Sequence, residues 1–109
     1  MELQPKKKCA LVLRSLSEDI RLRIIKCLFG KEYSVSDIAE ILEAKHSQVS
    51  HHLCILRNSG IVEDRREGKF IIYRIHPLVY TRLENKDVLD FECCSIVFND
   101  DYGSAMNKY

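Results

Sequence analysis

The fold of this chain is decided by residues 34–60, which read SVSDIAEILEAKHSQVSHHLCILRNSG. Ser34 and Asp37 have the spacing of a capping box, which predicts a helix over about 35–43. A second helix is predicted over about 46–58, where apolar residues recur at helical spacing at Val49, Leu53 and Leu56. Two short helices joined by a tight connection form a helix-turn-helix unit.

Two more helices are predicted on the N-terminal side of this unit. Apolar residues at helical spacing indicate a first helix over about 6–15. A second is predicted over about 18–29, with Ser17 as its capping residue and Gly30 as its left-handed stop. We therefore expect these two helices to pack against the helix-turn-helix and to form part of one helical core.

The hydrophobic period changes from helical to alternating after Gly60. Ile61–Arg66 and Lys69–Ile75 are predicted to be two strands, joined by a turn at Glu67-Gly68. Proline at a first helical position then predicts a last helix over about 77–91. From Phe98 onward the sequence is typical of a loose acidic tail.

The predicted fold class is mainly α with a small β-hairpin. It is a winged helix-turn-helix with an additional dimerisation helix at each end, in the order α-α-α-α-β-β-α. One domain over 1–109 is expected, with a core of about 6–91 and tails at 1–5 and about 96–109.

The charge of the chain is segregated although its net value is only +1. Residues 1–33 hold eight Lys and Arg against four acids, and 45–74 hold six against three. Residues 84–109 hold six acids against two lysines. Positive segments in a near-neutral chain favour contact with phosphates, although an unevenly charged solvated surface remains the alternative.

A DNA-reading surface is predicted from two clusters. Short polar groups suited to base edges and phosphates remain on the outer face of the 46–58 helix, at Ser47, Gln48, Ser50 and His51. Cations cluster around Gly68 at the tip of the wing, at Arg65, Arg66 and Lys69. An ordinary amphipathic helix with a polar face is the alternative for the first cluster.

Three ordered motifs carry a family resemblance. The stretches 16–25, 49–62 and 64–74 together resemble the ArsR–SmtB family of metal- and metalloid-responsive repressors. The resemblance implies a homodimer formed by the first and last helices, which binds a palindromic double-stranded DNA operator and is released by an effector. It also implies DNA contacts by the seven residues just named. Lys45 departs from the helix-capping serine that the family often places there.

The sites of the best-known members are not matched in this sequence. Ser34 and Ser36 stand where a thiolate site would need cysteines, and His76 is the only histidine from residue 73 onward. Cys93 and Cys94 remain, and vicinal cysteines in the C-terminal segment resemble some arsenic-responsive members. A third ligand to As(III) or another soft metal is predicted at Cys9, brought close across a dimer. Thiol redox or sulfur sensing, and no effector role, remain the alternatives.

Other classes of function find little support. The sequence shows no glycine-rich phosphate loop, nucleophile elbow or paired carboxylates, so we do not expect an enzyme. A winged-helix module that binds protein should lack a cationic wing. No apolar run approaches the ~20 residues of a membrane span, so a cytoplasmic protein with no membrane contact is expected.

Overall fold

The structure of the protein is a computed structural model, which describes residues 5–99. Four helices precede most of the strands: α1 (Pro5–Ser15), α2 (Asp19–Cys27), α3 (Val35–Leu42) and α4 (His46–Asn58). Six strands are present in these residues: β1 (Tyr33–Ser34), β2 (Val62–Glu67), β3 (Phe70–Ile75), β4 (Tyr80–Leu83), β5 (Lys86–Asp90) and β6 (Ser95–Phe98). The four predicted helices up to residue 58 are confirmed.

The helical core forms because the apolar faces of the first four helices meet. Its fully buried side chains include Val12, Ile24, Ile25, Ile38, Val49, Leu53 and Leu56. The capping box at Ser34 is present, since its Oγ accepts from the Asp37 backbone and the Asp37 carboxylate accepts from the Ser34 backbone. Gly30 has a φ of 67°, the left-handed conformation predicted for the stop after α2.

The wing belongs to a three-stranded antiparallel sheet of order β1-β3-β2. Val62 pairs with Ile75 at its base, and Glu67 pairs with Phe70 at its tip. The turn therefore lies at Gly68-Lys69, one residue later than predicted, because Glu67 still takes part in the ladder. The strand β1 was not predicted, since two residues are too few to show a period.

The predicted helix over 77–91 is wrong. Tyr80–Leu83 and Lys86–Asp90 form an antiparallel hairpin, and Ser95–Phe98 adds a third strand in the order β4-β5-β6. Glu84 and Asn85 have φ values of 50° and 64°, so they form the two-residue turn between the first two strands. Leu89 and Phe98 bury one face of this sheet against the helical core.

Two smaller predictions are also corrected. Glu18, not Ser17, is the N-cap of α2, and the Ser17 hydroxyl instead donates to the Arg14 carbonyl at the end of α1. Residues 96–98, which were expected to belong to the C-terminal tail, lie in β6. The rest of that predicted acidic tail lies outside the described residues. Among residues 5–99, no helix is long and apolar enough to cross a membrane.

Candidate nucleic-acid interface and thiol centre

The helix α4 is anchored through one face and leaves the other in solvent. Val49, Leu53 and Leu56 are fully buried. The four predicted DNA-contacting residues of the helix are all exposed: Ser47, Gln48, Ser50 and His51. They lie in its first two turns, where a major-groove helix presents its side chains to base edges. Lys45 is the N-cap and makes no side-chain capping bond, in keeping with the departure noted at this position.

Polar contacts fix α4 to the elements on either side of it. The Arg21 Nε of α2 donates to the His52 Nδ1 at 3.0 Å, and an Arg21 Nη1 donates to the Ser15 carbonyl at 3.2 Å. Burial and the neighbouring Arg21 guanidinium lower the pKa of His52, which favours the neutral imidazole that accepts this hydrogen bond. Arg57 binds Asp64 of β2 at 3.0 Å. The orientation of α4 is therefore tied both to the end of α1 and to the wing.

The strand alternation separates the two arginines of the wing. Arg66 lies on the same face of the hairpin as Tyr73, whose side chain is buried against the core, whereas Arg65 lies on the opposite face. The face of Arg66 also carries Asp64, which is bound to Arg57 of α4. The structure thus places Arg66 on the side of the recognition helix and Arg65 on the outer side.

The charge of Arg65 is already opposed by two carboxylates. Its Nη2 lies 2.7 Å from Glu32 and 2.6 Å from Glu67, and the hydrogen bond from Arg65 lowers the pKa of Glu32. Within the described residues, neither Arg66 nor Lys69 forms an ion pair. Sequence reasoning missed Glu32, because nothing in the spacing of the loop before β1 indicates that it reaches the wing.

The three cysteines predicted as soft-metal ligands lie together within one chain. The sulfur atoms of Cys9, Cys93 and Cys94 are all within 4.8 Å of one another. Cys9 comes from α1, whereas the other two lie in the turn between β5 and β6. The dimer arrangement invoked for Cys9 is therefore not needed to bring it close.

Backbone hydrogen bonds close the turn that carries Cys93 and Cys94. The Cys93 backbone donates to the Phe91 carbonyl at 2.8 Å, and Phe91 donates to the Cys94 carbonyl at 2.9 Å. Cys9 and Cys93 are joined by a disulfide with a Cα–Cα distance of 6.1 Å, and the Cys94 sulfur lies 4.0 Å from that of Cys93. Two sulfurs of the centre thus share a bond, and the third is a neighbouring thiol.

The other two cysteines stand apart from this centre. Cys27 is half-buried against the core, and burial raises the pKa of its thiol, which disfavours the reactive thiolate. Cys54 is half-buried on α4, with its sulfur 3.6 Å from an Arg57 Nη2. Neither contributes to the cluster of three sulfurs.

A helix-turn-helix whose second helix exposes a polar face, followed by a β-hairpin with cations at its tip, defines a winged helix-turn-helix DNA-binding regulator. The family model described as "Bacterial regulatory protein, arsR family" matches residues 18–64. The transcriptional repressor SdpR of Bacillus subtilis is 34% identical over 68 residues, which are 62% of this chain and 76% of that protein. The chain belongs to the ArsR family.

Other relatives differ in how much of each chain the similarity covers. The regulator NmtR of Mycobacterium tuberculosis is 30% identical over 105 residues, covering 96% of this chain and 88% of that protein. The cadmium resistance regulatory protein CadC homolog of Staphylococcus aureus is 40% identical over 67 residues, but this chain spans only 55% of its length. Residues 93 and 94 lie outside the family-model match, so the family assignment does not rest on them.

The solved structures show the same architecture. The homodimeric winged helix-turn-helix DNA-binding domain of Mb0332 from Mycobacterium bovis aligns with a TM-score of 0.64 and 33% identity. That alignment covers 67% of this chain and 68% of the other. The predicted winged helix-turn-helix fold is confirmed. The predicted dimer contact through a last helix is wrong for this chain, because residues 80–90 form a hairpin in its place.

Proposed function

We propose that this protein is a homodimeric transcriptional repressor that binds a two-fold symmetric double-stranded DNA operator. A thiophilic ion, As(III) or another soft metal, binds Cys9, Cys93 and Cys94 and releases the repressor. The observation that carries the DNA-binding part is the exposed polar face of α4 beside the cations of the wing. A relative named as a repressor and a homodimeric structural neighbour support the repressor and dimer parts.

In this proposal α4 enters the major groove and the wing holds the flanking backbone. Gln48 is suited to a bidentate pair with adenine, and Ser47, Ser50 and His51 to base edges or phosphates. Arg66 and Lys69 contact phosphates, since no carboxylate opposes them within the described residues. Arg65 contributes mainly through the fold of the wing, because Glu32 and Glu67 already bind it.

The donor set of the thiol centre fits a soft ion. Three sulfurs are the ligands that As(III) and soft divalent metals prefer. With metal–sulfur bonds of about 2.3 Å, two sulfurs on one ion lie at most about 4.6 Å apart, which is close to the 4.8 Å within which the three sulfurs lie. The bonded sulfurs of Cys9 and Cys93 must separate before both can bind the ion. The Cys9–Cys93 disulfide must first be reduced, because metals bind thiolates and not disulfides.

A contiguous set of contacts connects this centre to α4. Cys9 lies in α1, which ends at Ser15, and the Ser15 carbonyl accepts from Arg21. Arg21 in turn donates to His52 of α4. A shift of α1 caused by ion binding would therefore change the position of Arg21 and, through it, that of the recognition helix. This coupling is part of the proposal, and Arg21 is its positioning residue.

Release by thiol oxidation is a second candidate, favoured by the Cys9–Cys93 disulfide. A peroxide oxidises one thiol to a sulfenic acid, with loss of water when the oxidant is hydrogen peroxide. The second thiol then displaces water from the sulfenic acid and forms the disulfide. The two electrons pass to the peroxide. Cys94 takes no part in this reaction, whereas it supplies one ligand in the metal proposal.

DNA binding is tested by selecting duplexes from a random pool with the full-length protein and measuring their affinity by mobility shift. A palindromic sequence bound as a dimer is expected. Gln48→Ala should weaken binding and relax the preference at one position of each half-site, with about 1–3 kcal/mol lost for a bidentate pair. Failure of the wild-type protein to enrich any sequence would overturn the DNA-binding proposal.

The effector is tested on the reduced protein bound to that selected duplex. Arsenite or Cd(II) should release the wild type and the Cys27→Ala control, but not Cys94→Ser. Release of Cys94→Ser by peroxide alone would support oxidation instead, because Cys9 and Cys93 remain. Arg21→Ala should bind the ion with unchanged stoichiometry yet stay on DNA. Normal release of the Cys9→Ser, Cys93→Ser and Cys94→Ser variants by every reagent would exclude this thiol centre.

A further inference from the structure

The tip of the wing exposes apolar side chains as well as cations. Phe70 is 49% exposed and Ile71 is 40% exposed, although both lie in a strand whose other end is buried. Phe70 forms the last rung of the hairpin, opposite Glu67 and directly after the Gly68-Lys69 turn. An aromatic ring at the end of a narrow two-residue hairpin contributes little to the core and is open to contact with a ligand.

The charges around Phe70 make the tip attractive to a polyanion. The Lys69 ammonium lies 5.6 Å from the centre of the Phe70 ring. Arg66 pairs with Ile71 on the neighbouring rung, so its side chain lies on the opposite face of the hairpin from Phe70. Glu67 is the one carboxylate of the last rung, and Arg65 binds it at 2.6 Å. The tip therefore combines an apolar edge with two cations and a carboxylate whose charge is already balanced.

We propose that Phe70 is an apolar wedge that enters the minor groove of DNA beside the segment read by α4. This inference rests on the proposed DNA-binding function and adds a specificity-determining residue to it. Minor-groove proteins insert apolar side chains against sugars and base steps, which kinks the duplex away from the wedge. Lys69, beside the ring, and Arg66, on the opposite face of the hairpin, would bind phosphates of the two strands that border the groove.

The wedge predicts a base preference at positions that α4 does not reach. A G·C pair places an exocyclic amino group in the minor groove, and an A·T pair leaves that space open. A ring that enters the groove should therefore favour A·T steps in the flank of each half-site. An I·C pair has the minor-groove surface of A·T and the major-groove surface of G·C, so it separates the two grooves.

The experiment compares Phe70→Ala with Phe70→Leu and with the matched control Leu78→Ala. Leu78 is 87% exposed, so its variant removes an exposed apolar side chain beyond the end of β3. Each full-length protein is titrated against the duplex selected by the wild type, and against copies whose flanking A·T pairs are replaced by I·C or by G·C. Fluorescence energy transfer between the duplex ends reports bending.

The wild type and Leu78→Ala should bind A·T and I·C flanks equally and G·C flanks more weakly. Phe70→Ala should bind the selected duplex about tenfold more weakly, bend it less and lose the preference between flanks. Phe70→Leu should restore most of all three properties. Unchanged affinity, bending and flank preference in Phe70→Ala would overturn the wedge. A wild type that selects no duplex would instead overturn the proposed function.

Discussion

The chain holds two antiparallel three-stranded sheets that differ in what their turns expose. The sheet β1-β3-β2 projects a hairpin whose tip carries Lys69 and Phe70 in solvent. The sheet β4-β5-β6 instead lies against the helical core through Leu89 and Phe98, and its second turn holds Cys93 and Cys94. One sheet projects a cationic hairpin into solvent, and the other packs against the helical core and is joined to α1 through Cys9 and Cys93.

This difference keeps the two proposed sites of the molecule apart. The wing tip makes few contacts with the core, so its residues are available to a ligand at little cost in stability. The second sheet contributes fully buried side chains, and Cys9 of α1 is joined to its β5–β6 turn. We therefore expect a change at the thiols to act on packed elements, and a change at the wing tip to act mainly on DNA contact.

The largest expected effect is the loss of stability when a buried side chain of the β4-β5-β6 sheet is truncated. Leu89→Ala removes a side chain with 0% exposure and should lower the free energy of unfolding by about 3 kcal/mol. Ile71→Ala, at the wing, should cost about 0.5 kcal/mol. Urea denaturation of both variants checks this, and equal costs for the two would show that the sheets do not differ in this way.

The two faces of the wing should differ in DNA affinity. Arg66→Glu is expected to weaken binding to the selected duplex about tenfold and to reduce the salt slope by about 1 or more, because it removes a phosphate contact. Arg65→Glu should have a smaller effect on the salt slope, since two carboxylates already oppose that guanidinium. Titrations at several salt concentrations provide the test. A larger slope change for Arg65→Glu would reverse our assignment of the faces.

Glu32 offers a way to sharpen this assignment. Glu32→Gln removes one of the two carboxylates that hold Arg65 and leaves the size of the side chain unchanged. Arg65 should then be freer to bind phosphate, and the affinity for DNA should rise about twofold to threefold at low salt. The gain should vanish in the Arg65→Ala background. A loss of affinity would show that Glu32 serves DNA binding by holding the wing in place.

The smallest expected effect is a change in stability that distinguishes a hairpin from a helix over residues 80–90. Asn85 has a φ of 64° in the turn between β4 and β5, so Asn85→Gly should stabilise the protein by about 0.5 kcal/mol or leave it unchanged. In a helix interior the same change would destabilise by up to about 1 kcal/mol. Thermal denaturation gives the sign. A clear loss of stability would favour the helix that the sequence alone predicts.

The sequence predicted the fold best where a local signal agreed with the tertiary arrangement. The Ser34 capping box and the buried stripe of α4 both follow from residues within one or two turns. The helix predicted over 77–91 was wrong because proline at position 77 is typical of a helix start. The apolar residues after it fit the period of a strand as well as that of a helix. The turn signal at Glu84-Asn85 was present but is weaker than a turn that contains glycine.

The sequence by itself determined the helix-turn-helix, the polar outer face of its second helix and the presence of a basic wing, because these depend on periodicity and nearby residues. Only the tertiary structure decided that Glu32 binds Arg65 and that Cys9 lies beside Cys93 within one chain rather than across a dimer. Those pairs are 33 and 84 residues apart in the chain. Contacts at such separations arise from how elements pack, which no local pattern of residues encodes.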